Sequence, residues 1–271
     1  MSTPEYVLGS DATEIARLQA QAAALAEPTE VLLKRGGIVP GMRVLDLGTG
    51  PGDVAFQLAE LVGPDGSIIG VDRDPAQLAT AEERRAKAGL RNVSFRQGDA
   101  RTFVDGEPFD AVVCRLLLFH LPDAVDVIAH HARALKPGGI FVAVDYDMGS
   151  VRALPPVELV TKVREWLDAG FSHAQADPFV GMRLPVLLAK AGLQDVGSLG
   201  VQLYWPPDHP AAPGLAIGVV RSLAPAIVAS GAATDEELGL DTLEQRFGAA
   251  LREAGAVWTT PTVVGCWGRR A

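Results

Sequence analysis

Five residues at the end of one apolar segment have the types and spacing of a ligand-binding turn. They are Asp46, Gly48, Gly50, Gly52 and Asp53. The Val-Leu-Asp-Leu run in which the pattern begins is typical of a strand that is buried on both faces. Glycines at alternate positions leave the backbone bare, so a ligand can lie directly against it, and the amides of a following helix would point at that ligand. The pattern predicts a strand, a tight turn and a helix that together bind a nucleotide-like molecule.

Asp53, the last acid of this pattern, helps to identify the nucleotide-like ligand. A nicotinamide or flavin site has the spacing G-x-G-x-x-G, with a small third residue and a pyrophosphate at the helix end. Here Asp53 occupies the third position, where a carboxylate would face the pyrophosphate. The spacing G-x-G-x-G, with Asp46 before it, instead favours a cofactor that has a cationic part.

Four later segments continue the alternation of strands and loops. A second apolar run ends in Asp72, about 20 residues after Gly52, the offset at which an acid binds ribose hydroxyls. A third ends in the sequence Gly-Asp-Ala that contains Asp99. A fourth covers 109–115, and a loop and fifth strand cover 135–145.

Together these five motifs, over about residues 40–147, closely resemble those of class I S-adenosylmethionine (SAM) methyltransferases. The resemblance is to the group that contains ubiquinone/menaquinone-type and natural-product tailoring methyltransferases. It implies SAM as cofactor and S-adenosylhomocysteine (SAH) as product, with Asp72 on the ribose, Asp99 on the adenine amine and the end of the fourth strand on the methionine amino group. The cofactor-binding residues that it implies are Asp46, Gly48, Thr49, Gly50, Gly52, Asp72, Arg73, Asp99, Ala100, Cys114 and Arg115.

The resemblance also implies the architecture, an α/β fold with a Rossmann-like seven-stranded sheet, mostly parallel, whose last strand is antiparallel. Strands that alternate with helices independently favour a parallel sheet. We expect a single methyltransferase domain over 1–271, in which helical segments cap the carboxyl edge of the sheet, where ligands bind in such folds. Its expected parts are an N-terminal helical cap over 1–40, a SAM-binding core over 41–150, helical cap insertions over 151–194 and 206–255, and the last strands over 195–205 and 257–269.

Periodicity predicts the helices outside the core. The first should stop near Pro28 and be followed by a short helix from Thr29 to Lys34. Four later helices are expected, one that begins after Pro155-Pro156 and three over about 182–192, 212–229 and 235–254.

The amino-acid composition limits the classes of molecule that the protein can bind. The formal charge is −9 and the sequence pI is about 5.1, without the run of Lys and Arg that phosphate binding needs. We therefore predict a small-molecule acceptor and no nucleic acid. No apolar run approaches membrane-spanning length and the first 25 residues do not read as a signal peptide, so no membrane partner and a cytoplasmic location are expected. The cysteines Cys114 and Cys266 are predicted to be buried, reduced thiols. The sequence is compatible with a homo-oligomer and does not decide the oligomeric state.

Methyl transfer needs a positioned nucleophile, little water and sometimes a base. Candidate catalytic groups are His120, His173 and Tyr146, each of which could instead be structural. A carboxylate such as Asp145 or Glu165 is the alternative base. For an apolar acceptor the candidate contacts are Tyr6, Trp166 and Phe179, with a role in packing as the alternative.

A metal is not expected, because adjacent helical residues such as His130 and His131 point about 100° apart and make a poor ligand pair. The predicted function is SAM-dependent, metal-independent methyl transfer to a hydrophobic small molecule, at oxygen or carbon. The alternatives are an NAD-dependent oxidoreductase and a SAM-binding fold that catalyses another reaction.

Overall fold

A computed structural model describes residues 12–271, with side chains from residue 21 onward. The α-helices are α1 (Ala12–Arg35), α2 (Asp53–Val62), α3 (Pro75–Ala88), α4 (Ala124–Ala132), α5 (Glu158–His173), α6 (Val180–Lys190), α7 (Ala212–Ala229), α8 (Asp235–Leu238) and α9 (Leu240–Ala254). The strands are β1 (Arg43–Leu47), β2 (Ser67–Asp72), β3 (Val93–Gln97), β4 (Phe109–Arg115), β5 (Leu135–Asp147), β6 (Arg152–Leu154), β7 (Gln194–Val201), β8 (Tyr204–Trp205), β9 (Val257–Thr259) and β10 (Thr262–Arg269).

The chain forms two compact units. The first, which we call the sheet unit, comprises Leu25–Tyr146, Val180–Gly200 and Val263–Ala271. It contains a seven-stranded sheet in the order β3-β2-β1-β4-β5-β10-β7, mostly parallel with the last strand antiparallel. The predicted α/β fold, with a mostly parallel seven-stranded sheet whose last strand is antiparallel, is therefore confirmed.

Burial explains why the central strands form as they do. Every residue from Val44 to Leu47 in β1 is buried, as are Ala111–Cys114 in β4 and Ile140–Asp145 in β5. Parallel strands covered on both faces need such continuous runs rather than alternating ones. β1 pairs in parallel with β2 on one side and β4 on the other, so its carboxyl end lies at the middle of the sheet edge.

The two outer strands, β3 and β7, are more exposed than the central strands. β3 buries only Val93 fully, and β7 is mostly exposed, with the sequence Gln-Asp-Val-Gly-Ser-Leu-Gly-Val. Within β7, Asp195 has a φ of +49°, which interrupts the regular extended backbone. Polar and irregular outer strands are a common way to leave a sheet edge exposed to water.

The second unit, which we call the helical unit, comprises residues 12–24, 147–179 and 201–262 of the described chain. Its core is α5 packed on α7, where Gly170 lets the helices approach; a Cβ there would lie 2.8 Å from Ile227 Cγ1. It also contains a three-stranded antiparallel sheet in the order β6-β9-β8. The sequence analysis did not anticipate this sheet, because it treated 195–205 and 257–269 as one strand each.

Two predicted helix boundaries are wrong. α1 continues through Pro28, although proline removes one backbone hydrogen bond, because Leu25, Leu32 and Leu33 are buried on its apolar face. The helix expected over 235–254 is instead divided into α8 and α9 at Gly239, whose φ of +52° ends the first of them.

Helix α7 matches its predicted bounds and is, by length and composition alone, apolar enough to cross a membrane. The sequence analysis did not expect such a segment. In the helical unit α7 packs against α5 and α9 and buries Ile217, Val220 and Ile227, an environment that a core helix of a globular unit also has.

The space around Gly70 in β2 is too small for a larger side chain. A Cβ there would lie 2.7 Å from Phe95 Cδ1 and 2.8 Å from Thr49 Oγ1. We predict that Gly70→Ala lowers the free energy of unfolding by about 1–3 kcal/mol, because overpacking forces its neighbours to shift. Urea denaturation measures this, with Gly106→Ala as the control, since a Cβ on Gly106 would meet no atom of the described residues within 4 Å. Equal stability of the two variants would contradict the prediction.

Candidate functional site

The turn that joins β1 to α2 is built from left-handed backbone. The φ angle is +67° at Gly48, +53° at Gly50 and +89° at Gly52, values that residues with a Cβ rarely adopt. We call residues 48–52 the glycine turn. A Cβ on Gly50 would meet no described atom within 4 Å, so the turn is open where its backbone is barest.

Strand β2 holds this turn in place. The amides of Gly48 and Thr49 both donate to the Val71 carbonyl, at 2.8 and 3.0 Å. The Gly50 amide donates to Asp72 Oδ2 at 2.9 Å. Three successive amides of the turn are therefore fixed by the last two residues of the neighbouring strand.

Asp72, the predicted ribose acceptor, is itself fixed by backbone. Besides the bond from Gly50, its Oδ1 accepts the amide of Asp74 at 3.0 Å. Asp74 in turn caps α3 by accepting the Ala76 amide at 2.8 Å. Each oxygen of Asp72 has one amide partner and keeps a lone pair for a further donor, as binding two hydroxyls requires.

Asp46 lies beneath the turn and is almost completely buried, with 1% of its surface exposed. Its Oδ2 accepts the Thr49 hydroxyl at 2.6 Å. Burial raises the pKa of Asp46 to about 7, against the opposing effects of the Thr49 bond and the Arg115 charge, and the Asp72 and Asp53 charges add to the rise. This carboxyl group therefore changes its charge near neutral pH.

Asp53, which excluded a pyrophosphate in the sequence analysis, forms an ion pair at the start of α2. Its Oδ1 accepts Arg84 Nη2 at 2.7 Å, and Arg84 Nη1 donates to the Pro51 carbonyl at 2.6 Å. The same guanidinium lies over the Phe56 ring, 5.0 Å from its centroid. Arg84 thus connects α3 to the glycine turn.

The predicted adenine-binding residues lie after β3, in residues 98–103, which we call the Asp99 loop. Asp99 Oδ1 accepts the Arg101 amide at 2.8 Å, and its Oδ2 has no partner among the described residues. Arg101 Nε pairs with Asp123 Oδ2 at 2.8 Å. One carboxylate oxygen of Asp99 is therefore available to an amine.

Two adjacent histidines of α4 hold this loop. His131 Nε2 donates to the Ala100 carbonyl at 2.6 Å, and His130 Nε2 lies 2.9 Å from the Phe103 carbonyl. His131 is fully buried, and burial lowers its pKa to about 4 despite the Ala100 bond. The divergence of adjacent helical side chains, which made this pair unsuitable for metal, lets each ring reach a different carbonyl.

The end of β4 supplies two more predicted residues. Cys114 is buried, and burial together with the Asp145 and Asp46 charges raises the pKa of its thiol well above the usual range. Arg115 donates from Nη1 to Thr29 Oγ1 at 3.2 Å. The next residue, Leu116, has a φ of +52°, so the chain turns sharply as it leaves the strand.

Among the candidate bases, His120 lies in a 3-10 turn beside the strand ends. The carboxyl group of Asp145, which is 1% exposed, accepts the Phe119 amide at 3.3 Å and holds this turn against the end of β5. Burial, with the Arg73 charge, lowers the pKa of His120 to about 4. An unperturbed imidazole has a pKa near 6.5; with the lowered value the His120 ring is neutral at neutral pH.

The other predicted site residues are distributed over both units. Tyr146 ends β5 in the sheet unit. In the helical unit His173 is an exposed residue at the end of α5, Trp166 is buried in the same helix, and Phe179 is 37% exposed. Tyr6 lies outside the described residues. Within the described part of the chain, no group of three or more His, Cys, Asp or Glu residues could hold a metal ion.

Sequence reasoning missed Arg84, His130 and His131 as parts of the site. The histidine pair was visible as a motif, but its partners are carbonyl groups, which every residue carries. Arg84 stands on a helix of mixed charge and has no local signal that distinguishes it from Arg85.

The pKa of Asp46 predicts a pH dependence of stability. Because the folded-state pKa lies above the unfolded value near 3.8, the folded protein retains a proton that the unfolded chain releases between about pH 4 and pH 7. The contribution of Asp46 to the free energy of unfolding therefore falls as the pH rises from about 4 to about 7.

We predict that Asp46→Asn removes this decrease. From pH 5 to pH 7 the free energy of unfolding of the variant should therefore rise, relative to that of wild type, by on the order of 2 kcal/mol. Urea denaturation at several pH values measures it. Asp65→Asn, at an exposed turn, is the matched control. A difference that is independent of pH would contradict the pKa assigned to Asp46.

Comparisons with known proteins agree with this geometry. A family model described as a methyltransferase domain matches residues 38–192. The demethylmenaquinone methyltransferase of Lactococcus lactis subsp. lactis (strain IL1403) is 37% identical over 115 residues, which are 42% of this chain and 45% of that protein. The aklanonic acid methyltransferase of Streptomyces sp. (strain C5) is 38% identical over 123 residues, 44% of this chain and 55% of that protein. The matched region thus spans about half the length of these curated relatives.

Among solved structures, the YcgJ protein of Bacillus subtilis has a TM-score of 0.56 at 19% identity, with 89% of this chain and 97% of that chain covered. At this identity the likeness shows the fold alone. The family match covers more than half of the chain and includes the glycine turn, Asp72, the Asp99 loop and the end of β4. The chain therefore belongs to the methyltransferase-domain family of class I, SAM-dependent methyltransferases.

Proposed function

We propose that the protein transfers the methyl group of SAM to an oxygen or carbon of a hydrophobic small-molecule acceptor, without a catalytic metal. The observation that carries this proposal is the arrangement at the carboxyl ends of β1 and β2. There the open glycine turn and the doubly anchored Asp72 carboxylate stand next to each other, joined by the bond from the Gly50 amide.

The residues present fit the cofactor. Asp72 has lone pairs free for two ribose hydroxyls, Asp99 keeps one oxygen for the adenine amine, and the bare backbone at Gly50 leaves room for the chain of the amino acid. SAM supplies an activated methyl group on its sulfonium. The protein must then position the acceptor, exclude water and accept a proton where the nucleophile carries one.

Charge and relatives support the class of acceptor. The net charge of −9 disfavours a polyanionic substrate. The names of the two relatives give demethylmenaquinone and aklanonic acid as their substrates, both small organic molecules. The free, buried thiols Cys114 and Cys266 support the proposed cytoplasmic location. That the helical unit caps the acceptor stays a prediction of the sequence.

The test is SAH release and product mass spectrometry with a panel of hydroquinone, phenol and carbon-acid acceptors, with and without EDTA. We expect an added mass of one methyl group with at least one acceptor and undiminished turnover in EDTA. Binding of SAM without consumption across the panel would favour the alternative of a SAM-binding fold with another activity. Loss of turnover in EDTA that Mg²⁺ restores would refute the metal-independent mechanism.

Asp72 gives a prediction about cofactor affinity. Asp72→Ala should weaken SAM binding by about 10- to 100-fold, because it removes a charged acceptor of two hydroxyls and the support of the Gly50 amide. Isothermal titration measures this. Asp74→Ala is the matched control, since it removes a carboxylate two residues away that caps α3. Wild-type affinity in Asp72→Ala would remove the ribose assignment.

His120 gives a prediction about catalysis. Burial keeps its ring neutral, with a pKa of about 4, and the residue stands beside the strand ends. We predict that His120→Ala lowers kcat about 100-fold or more at saturating SAM, and that wild-type kcat does not vary with pH from 6 to 9 on account of this group. His173→Ala, at an exposed position, should keep wild-type kcat.

The pH profile and circular dichroism of both variants complete the experiment. A folded His120→Ala variant with wild-type kcat would exclude a base at this position. Asp145, which holds the same turn, would then be the next carboxylate to change.

A further inference from the structure

Arg115 is an incompletely partnered cation beside the glycine turn. Within the part of the chain that the structure describes, its guanidinium makes one hydrogen bond, to the hydroxyl of Thr29, which is itself fully buried. No carboxylate of that part lies within ion-pair distance of it. A guanidinium carries five donors in a planar fork, so the described residues use little of the hydrogen-bonding capacity of Arg115.

Arg115 is half-buried, at the end of β4. Burial lowers the pKa of its guanidinium, and the Asp53, Tyr146 and Asp46 charges oppose that effect. The two nearby carboxylates are engaged elsewhere, Asp53 with Arg84 and Asp46 with Thr49. A half-buried cation whose one hydrogen-bond partner among the described residues is neutral is most simply explained by an anion that arrives with a ligand.

The position of Arg115 decides which part of the ligand that is. Leu47 of β1 pairs with Cys114 of β4, so Arg115 and Gly48 follow at equivalent positions on neighbouring strands. The adenosine part of SAM carries no charge, whereas its methionine part carries an ammonium, a sulfonium and one carboxylate. The carboxylate is therefore the group of this cofactor that attracts a guanidinium.

We propose that the Arg115 guanidinium binds the methionine carboxylate of SAM, with its Thr29 hydrogen bond fixing the orientation of the fork. The proposal rests on SAM as the cofactor of the family and is independent of which acceptor is methylated. The pairing also offsets repulsion, because the carboxylate of Asp72 beside the turn, and that of Asp46 when it is ionised, would otherwise repel an incoming carboxylate.

The experiment compares two probes that differ only in that group. SAH and its decarboxylated analogue, 5′-deoxy-5′-(3-aminopropylthio)adenosine, are titrated calorimetrically into wild type, Arg115→Gln and Arg115→Lys. Wild type should bind SAH about 10- to 100-fold more tightly than the analogue, as a charge-assisted pair implies. In Arg115→Gln this preference should disappear while affinity for the analogue changes little, and Arg115→Lys should recover part of it.

Arg91→Gln is the matched control, since it removes an exposed positive charge of the same unit; it should keep the wild-type preference. Effects of the substitution on Asp46 or on the turn are shared by both probes and cancel in the ratio. An equal loss of affinity for both probes, or a preference for SAH that persists in Arg115→Gln, would overturn the proposal. Failure of wild type to bind SAH would instead count against the cofactor itself.

Discussion

The site depends on one constraint, which is that the last two residues of β2 hold three amides of the glycine turn. Val71 accepts two of them through its carbonyl and Asp72 accepts the third through its side chain. The backbone that presents these amides is left-handed at Gly48 and Gly50, a conformation that favours glycine on either side of Thr49. The ligand does not have to orient the Asp72 carboxylate when it binds, because backbone amides already hold that group in place.

Three carboxylates surround this turn, and the protein controls each of them by a different means. Asp53 is neutralised by an arginine from α3, Asp72 is held by amides, and Asp46 is buried against a threonine hydroxyl. A cationic cofactor gains from the negative charge of Asp72 and from that of Asp46 when it is ionised, whereas a pyrophosphate would be repelled. The feature that separates this family from nicotinamide-binding proteins in sequence is thus an electrostatic property of the folded site.

The parts that could be predicted from sequence are those with a local physical cause. The buried runs of β1, β4 and β5 show no alternation, so they indicate a covered parallel sheet, and the glycine spacing follows from backbone geometry. The path of α1 through Pro28 could not be predicted, because it is decided by Leu32 and Leu33 packing elsewhere in the unit. The same holds for the short strands β6, β8 and β9, which exist only because they meet one another, and for His131, whose partner is a carbonyl group.

The outer strands of the seven-stranded sheet limit how copies of this chain could associate. β7 exposes Gln194, Ser198 and the apolar Leu199 and has a left-handed residue at Asp195, and β3 at the opposite edge carries Arg96 and Gln97. Strand-to-strand addition needs a regular row of unpaired amides and carbonyls, which Asp195 interrupts in β7 and which the five residues of β3 keep short. If the protein self-associates, a continuous intermolecular sheet is therefore the arrangement that its edges disfavour, and helical surfaces are left to form the contact.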